Sequence, residues 1–394
     1  MDLVSIVIPV CPAHNRPDFL GACLESISSQ TYPKDSTEVI VVGDSCDVSD
    51  AVRCFCDPKI RTTVLCLEKR VGPICARNQA LKVARGKWVA FLDADAVADG
   101  DWLCCLTRGF GSDAVGGCGG DIVDEGNQYD NRGAILGSCT VLPFTGFGNA
   151  IFRKDILDQS GLLDEALDPG GHGSEDVDLS WRTLLQGYRI EYIPGAKVRH
   201  RGSSHARHGF AYGVGMRRLM EKYREIIRYS SWVQLRRYAE NIKHSYHERC
   251  LLQELPRHLM VLAGYLWGMM RHSLRLGPPV HPLDLQNVLE SLRPAQLLLK
   301  AAPQSSGDLR LKEVLWWKSE NGFTLFQLAE NKVYEFQGVA ARMWELMIWQ
   351  NSPEDISDAL LEEYEIGKKE AENDFLKFIE HLCKEKILKF VRNG

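Results

Sequence analysis

Cysteine pairs at metal-binding or redox spacing are missing from this sequence. Its thirteen cysteines include no Cys-x-x-Cys, which removes the usual metal and redox pairings. The count is odd, and no secretion signal opens the chain: Leu3–Val10 has strand length, holds a proline and lacks a basic leader. Reduced thiols in a cytoplasmic protein are therefore expected, with Cys54, Cys56, Cys104 and Cys105 as small buried hydrophobes. Long apolar runs are also absent. The longest, Leu259–Met270, is far short of the ~20 residues that span a bilayer. There is no excess of positive charge either, since the net charge is -5, so no nucleic acid partner is expected. No internal repeat is present, and nothing signals an oligomeric state. What remains is ordinary globular composition, 45% hydrophobic and 25% charged, at a length that implies two or three domains.

Strands and helices alternate through the first hundred residues. Val4–Val10, Glu38–Val42, Val64–Leu67 and Trp88–Leu92 read as buried strands; Asp18–Gln30 and Ile74–Ala84 carry helical spacing. That rhythm predicts βαβ units and a largely parallel sheet, whose ligands belong at the C-terminal strand ends. Two strands send carboxylates there: Asp44 after the second, Asp93 and Asp95 after the fourth. In extended chain, acids two residues apart point the same way and suit Mg²⁺ or Mn²⁺. Asp44 fits either a ribose or base contact or a turn residue. Gly116–Gly126, rich in glycine and acid, is expected as a mobile surface near the ligand. After Gly170–Gly173, the run Ser174-Glu175-Asp176 fits a capped helix start with an acidic first turn. A carboxylate at such a start, beside a metal, can instead take a proton from an acceptor.

Together, Ser5-Ile6-Val7-Ile8-Pro9 with Asn15-Arg16-Pro17, Glu38–Asp44, Gly72-Pro73 with Ala76-Arg77-Asn78, and Phe91-Leu92-Asp93-Ala94-Asp95 resemble family 2 glycosyltransferases. The resemblance implies an α/β GT-A nucleotide-diphospho-sugar transferase fold over residues 1–205, using a nucleoside-diphosphate sugar, a UDP-sugar by family precedent. Donor contacts would then come from Pro9, Asn15, Arg16, Asp44, Arg77, Asp93 and Asp95. Asp93, Asp95 and His200 would hold Mn²⁺ or Mg²⁺, and Gly148, Asn149 and Trp181 would lie on the acceptor side. Glu175-Asp176 followed by Leu179, Trp181 and Arg182 is similar to the family's acidic-pair motif, which implies Asp176 as catalytic base with Glu175 beside it, and inversion at the sugar. Gly43-Asp44-Ser45 departs from the family's more acidic pattern and leaves Asp44 alone to read the nucleoside.

Residues 206–300 form a basic and aromatic helical extension, with Arg217, Arg218, Lys222, Arg224 and Arg228 among Tyr212, Tyr223, Tyr229 and Trp232. It fits peripheral contact with the inner face of a membrane, binding of a phosphorylated lipid acceptor, a grip on an acidic peptide, or a solvated face with aromatic core contacts. Residues 301–310 read as a linker. The remainder, 311–394, alternates into three strands (Leu311–Lys318, Phe323–Leu328, Lys332–Phe336) and then three helices (Gly338–Ile348, Pro353–Tyr364, Glu370–Lys386). This winged-helix-like α+β pattern resembles PqqD-type peptide-binding domains, the RiPP recognition elements. Val333, Tyr334, Phe336 and Trp344 carry the likeness, which implies that the leader of a ribosomally made precursor peptide joins the sheet edge. Three functional readings follow: a transferase acting on that peptide, one acting on a lipid-linked or polysaccharide acceptor, or a nucleotide-sugar-binding scaffold with a docking module.

Overall fold

The computed structural model describes residues 1–124, 128–129, 134–135, 142–167, 174–201, 205–224, 226, 259–267, 270, 299–300, 307–311, 314–319, 322–328, 330, 332–348, 353–364 and 367–392. They group into two compact units, Met1–Leu184 with Tyr188–Leu283, and Asp284–Gly394 with Leu185–Gly187.

The first unit is built on β1 (Val4–Val10), β2 (Thr37–Asp44), β3 (Arg61–Leu67) and β4 (Trp88–Phe91), with α1 (Ala22–Ser28), α2 (Ser49–Phe55) and α3 (Pro73–Val83) between them. β1 pairs in parallel with both β2 and β4, and β2 with β3. Ile6, Ile8, Val39 and Val41 enter one core, while Val7, Ile40, Val42, Val89 and Phe91 enter another. Both sheet faces are thus covered, which explains why these strands are continuous apolar runs rather than alternating ones. β5 (Ala96–Ala98), α4 (Trp102–Arg108), β6 (Val115–Asp124), β7 (Gln128–Tyr129), β8 (Ala150–Arg153), α5 (Lys154–Ser160), α6 (Glu175–Leu185) and β9 (Arg189–His200) follow. They complete a nine-stranded mixed sheet in the order β3-β2-β1-β4-β8-β6-β9-β5, with β7 beside β6. α7 (His205–Lys222) comes next.

The segment Gly116–Gly126, expected as mobile surface, is instead a sheet strand through Asp124. Its glycines serve close packing: a Cβ on Gly120 would lie 1.9 Å from the Ala196 carbonyl oxygen, and one on Gly119 the same distance from Thr145 Oγ1. The cysteines expected to be buried are less so; Cys54 is exposed and Cys56, Cys104 and Cys105 are half-buried, all as free thiols. No helix among the described residues is long and apolar enough to cross a membrane. Most of the basic extension lies outside the described residues. Within α7 and just beyond it, Arg217 and Arg224 both pair with Glu221, and Lys222 pairs with Asp164 and Asp178.

In the second unit β12 (Val314–Ser319), β13 (Gly322–Gln327) and β14 (Lys332–Gln337) form an antiparallel meander. α8 (Gly338–Ile348), α9 (Pro353–Tyr364) and α10 (Lys368–Lys384) pack on it through Phe336, Trp344, Ile356, Leu360, Phe375 and Leu382. β10 (Leu299–Lys300), β11 (Gly307–Leu311) and β15 (Leu388–Arg392) make a second small sheet, so four residues of the expected linker lie in a strand.

Candidate active site

The site forms where β1, β2 and β4 end. Asp93-Ala94-Asp95 is a turn, closed by the Ala96 N–H donating to the Asp93 carbonyl at 3.0 Å, and not the extended segment expected from the spacing. The carboxylates still converge, because β5 begins immediately after the turn and pairs Ala96 with His200 at the end of β9. That register sets His200 Nε2 3.2 Å from Asp95 Oδ1 and 3.7 Å from Asp93 Oδ2. Opposite it, His14 Nε2 stands 3.8 Å from Asp95 Oδ2. The sequence reading missed His14; its signal was its place in the loop after β1, at the same sheet edge as the acids. The neighbouring Cys11 thiol, helped by Asp95 and Asp93, raises the His14 pKa despite partial burial.

Arg77 ties the two acidic motifs together. From α3 it donates Nη2–H to Asp93 Oδ1 at 2.8 Å and Nη1–H to Glu175 Oε1 at 2.9 Å, with its guanidinium 5.1 Å from the centre of the Phe147 ring. It is 6% exposed, so the residue expected at the nucleotide is committed to two carboxylates. Burial alone would raise the Asp93 pKa, but His200 and Arg77 outweigh it and hold the group well below the ordinary carboxylate range. Asp176, next along α6, is pushed the other way, to about 7, by burial and by the Glu175 carboxylate beside it. The helix opens with three acids in its first turn, as expected, but Ser174 Oγ has no hydrogen-bond partner among the described residues and so provides no side-chain cap.

The other expected contacts divide. Gly148 lies against the site, since a Cβ there would be 3.4 Å from Asp93 Oδ2. Asp44 is buried at the end of β2, accepting from the Val71 and Gly72 N–H groups at 2.7 and 3.0 Å; it holds the loop that begins α3. Pro9 lies in β1 opposite Val42. Asn15 donates to the Asp47 carbonyl at 2.7 Å, and Arg16 is exposed and paired with Asp18, so neither joins the carboxylates. Asn149 and Trp181, expected on the acceptor side, are core residues. Asn149 accepts from Trp102 Nε1 and donates to the Asp121 and Ala196 carbonyls, while Trp181 donates to the Leu142 carbonyl.

Ligands of a divalent ion at about 2.1 Å in an octahedron sit roughly 3 Å apart, the separation of Asp95 Oδ1 and His200 Nε2. Among the described residues no group of three His, Cys, Asp or Glu side chains is arranged as a metal site. Asp95 and His200 stand at the separation of two neighbouring ligands, and Asp93 Oδ2 lies 3.7 Å from the same imidazole nitrogen.

In the C-terminal unit, β14 has a single strand neighbour among the described residues, and Val333 on it is 52% exposed. Tyr334 is half-buried, its hydroxyl 3.0 Å from Glu385 Oε2. Phe336 and Trp344, which carry the likeness to peptide-binding domains, are buried in the core, where their rings contact each other and Phe336 meets Phe378 edge-on at 5.3 Å.

Comparison with known proteins follows the same division. The model of glycosyl transferase family 2 matches residues 5–161, that of glycosyl transferase family group 2 matches 88–284, half of the chain, and that of coenzyme PQQ synthesis protein D (PqqD) matches 322–388. Glycosyltransferase AglE of Haloferax volcanii is 28% identical over 204 residues, which are 49% of this chain and 64% of that protein. The pre-mycofactocin glycosyltransferase of Mycobacterium tuberculosis is 31% identical over 216 residues, 50% of this chain and 42% of that one. The chain thus spans less than two thirds of the length of these relatives. A mannosyltransferase from Pyrobaculum calidifontis, solved in complex with GDP-Man and Mn2+, overlaps 71% of this chain and 76% of its own with a TM-score of 0.47 at 18% identity. With its motifs, sheet and family matches in agreement, the chain belongs to glycosyl transferase family 2 and carries a C-terminal PqqD domain.

Proposed function

We propose that this chain transfers a sugar from a nucleoside-diphosphate donor, with inversion, to a ribosomally made peptide held by its PqqD domain. The observation that carries the first half is the meeting of Asp93, Asp95 and His200 at one sheet rim, with Arg77 bridging Asp93 to Glu175, the neighbour of Asp176 at the start of α6. Asp176 takes the proton from the acceptor nucleophile. The nucleophile attacks the anomeric carbon from the face opposite the diphosphate, and the pair of electrons in the breaking carbon–oxygen bond leaves with the diphosphate. Asp95 and His200 would hold a Mn²⁺ or Mg²⁺ ion, which when bound would supply neutralising charge to the leaving group. One carboxylate then suffices, where a glycosidase uses two. Asp44 closes the nucleoside end, and a UDP-sugar is the donor by family precedent.

The peptide half is supported by the PqqD match, by strand β14, which has one strand neighbour among the described residues and an exposed Val333, and by a relative named for pre-mycofactocin. An extended peptide adds to such an edge through main-chain hydrogen bonds. Tethering raises its effective concentration at the transferase.

Two experiments test this reading. The full chain is incubated with nucleotide sugars and a candidate precursor peptide, and the peptide mass is followed. Chelation with EDTA, or Asp95→Ala, should lower transfer by at least 100-fold, the scale expected when charge stabilisation of a leaving group is lost. Wild-type turnover in EDTA would remove the metal from the proposal. Separately, Val333→Asp should weaken leader binding about tenfold, as one lost apolar contact implies, with donor binding intact. Equal leader affinity in that variant would place the peptide elsewhere.

A further inference from the structure

The helix that follows the sheet reaches back to the one that carries Asp176. Asp178 stands two residues beyond Asp176 in α6, about 200° around the helix at 3.6 residues per turn, so it faces away from the site. It is fully buried. Its Oδ1 accepts from Tyr223 Oη at 2.9 Å and pairs with Lys222 Nζ at 2.7 Å, while Arg182 Nε lies 2.9 Å from Oδ2. Lys222 ends α7 and also pairs with Asp164 at 2.7 Å. Next to Asp164, Leu163 and Glu165 accept from Asn78, the neighbour of Arg77 on α3. The Tyr223 ring meets Trp181 of α6 edge-on at 4.9 Å.

Two anions and two cations thus cancel, with Asp178 and Lys222 buried and Arg182 and Asp164 half-buried. Well-packed apolar side chains would give equal stability there, since desolvation cancels most of the gain of a buried ion pair. What the ions add is direction. Asp178 can meet Lys222 and Tyr223 at only one roll of α6, and that roll decides where Asp176 points.

Resting on the assignment of Asp176 as base, we propose that Tyr223 and Lys222 are positioning residues: through Asp178 they fix the rotation of α6, so the catalytic unit includes the end of α7. The test is Tyr223→Phe in the full chain, which removes one hydroxyl and keeps the ring packing. Its kcat should fall roughly tenfold, the scale of losing part of one charge-assisted hydrogen bond, with the donor KM unchanged and melting shifted by only a few degrees. Lys222→Met, which leaves Asp164 and Asp178 short of a cation, should fall further in kcat at the same donor KM. Wild-type kcat in Tyr223→Phe with a lowered melting temperature would make the cluster merely structural and overturn the proposal. Full activity in Asp176→Asn would instead remove the base assignment, so the two failures are distinct.

Discussion

Replacing Asp176 by asparagine should abolish transfer while leaving the donor bound, and it should also stabilise the chain above neutral pH. The amide keeps the shape of the carboxyl but cannot accept the acceptor's proton, so a loss of about 10²–10⁴ in kcat is expected, the usual worth of a positioned base. The stability change has its own sign. The folded state raises this pKa to about 7 from an ordinary 3.8, because the charged form is buried beside Glu175. Below pH 4 the group is neutral whether folded or not, and it costs nothing. Between 4 and 7 the unfolded chain ionises first, so the cost grows with pH; above 7 it is complete. With solvent screening at a half-buried carboxyl, about 1–2 kcal/mol is a reasonable size, or a rise of roughly 2–4 °C per kcal/mol in a unit this large. Thermal melts at pH 4 and pH 8 read it directly: the variant should gain at pH 8 and match the wild type at pH 4. An equal gain at both would mean that a buried charge is not the cause. The pH–rate profile of the wild type should rise through an acid limb near 7 for the same reason.

The half of the fold that is written in continuous apolar runs was legible before any coordinates. Val4–Val10 and the strand ending at Asp44 read as buried because both faces are covered, and α8 and α9 were bounded correctly because their apolar spacing and their Gly and Pro starts coincide. The glycine run of β6 was not legible. Gly119 and Gly120 look like a flexible loop in sequence, and only the proximity of Thr145 and Ala196 shows that side chains are excluded there. Convergence at the site was legible as motif but not as geometry. Nothing local says that Ala96 pairs with His200 across a hundred residues, or that Arg77 joins Asp93 to Glu175. For the same reason Trp181 was expected on the acceptor side although it is buried: a conspicuous aromatic residue near a motif carries no mark of which way it faces.

Arg77 should prove the residue least tolerant of change, for a reason that can be separated from catalysis. It touches both acidic motifs, and its removal takes from Asp93 and Glu175 the cation they share. Breaking a buried pair by deleting one partner costs about 3–5 kcal/mol, so Arg77→Met should shift urea denaturation by that amount and lose transfer altogether. Arg77→Lys restores the charge but not the fork: one ammonium cannot make parallel bonds to two carboxylates on opposite sides. It should therefore recover most of the stability and little of the kcat, because Asp93 and Glu175 are no longer held at a fixed distance. The acid side gives an independent check. Asp93 has a depressed pKa in the folded chain, so it contributes stability that is present above the unfolded value near 4 and lost as the pH falls. Without Arg77 the first of its cationic supports after His200 is gone, and the dependence of stability on pH below 4 should flatten. If Arg77→Met melts like the wild type and keeps that acid dependence, the bridge does not hold the two motifs together, and the convergence of Asp93 with Glu175 and Asp176 must be maintained by packing around Phe147 instead.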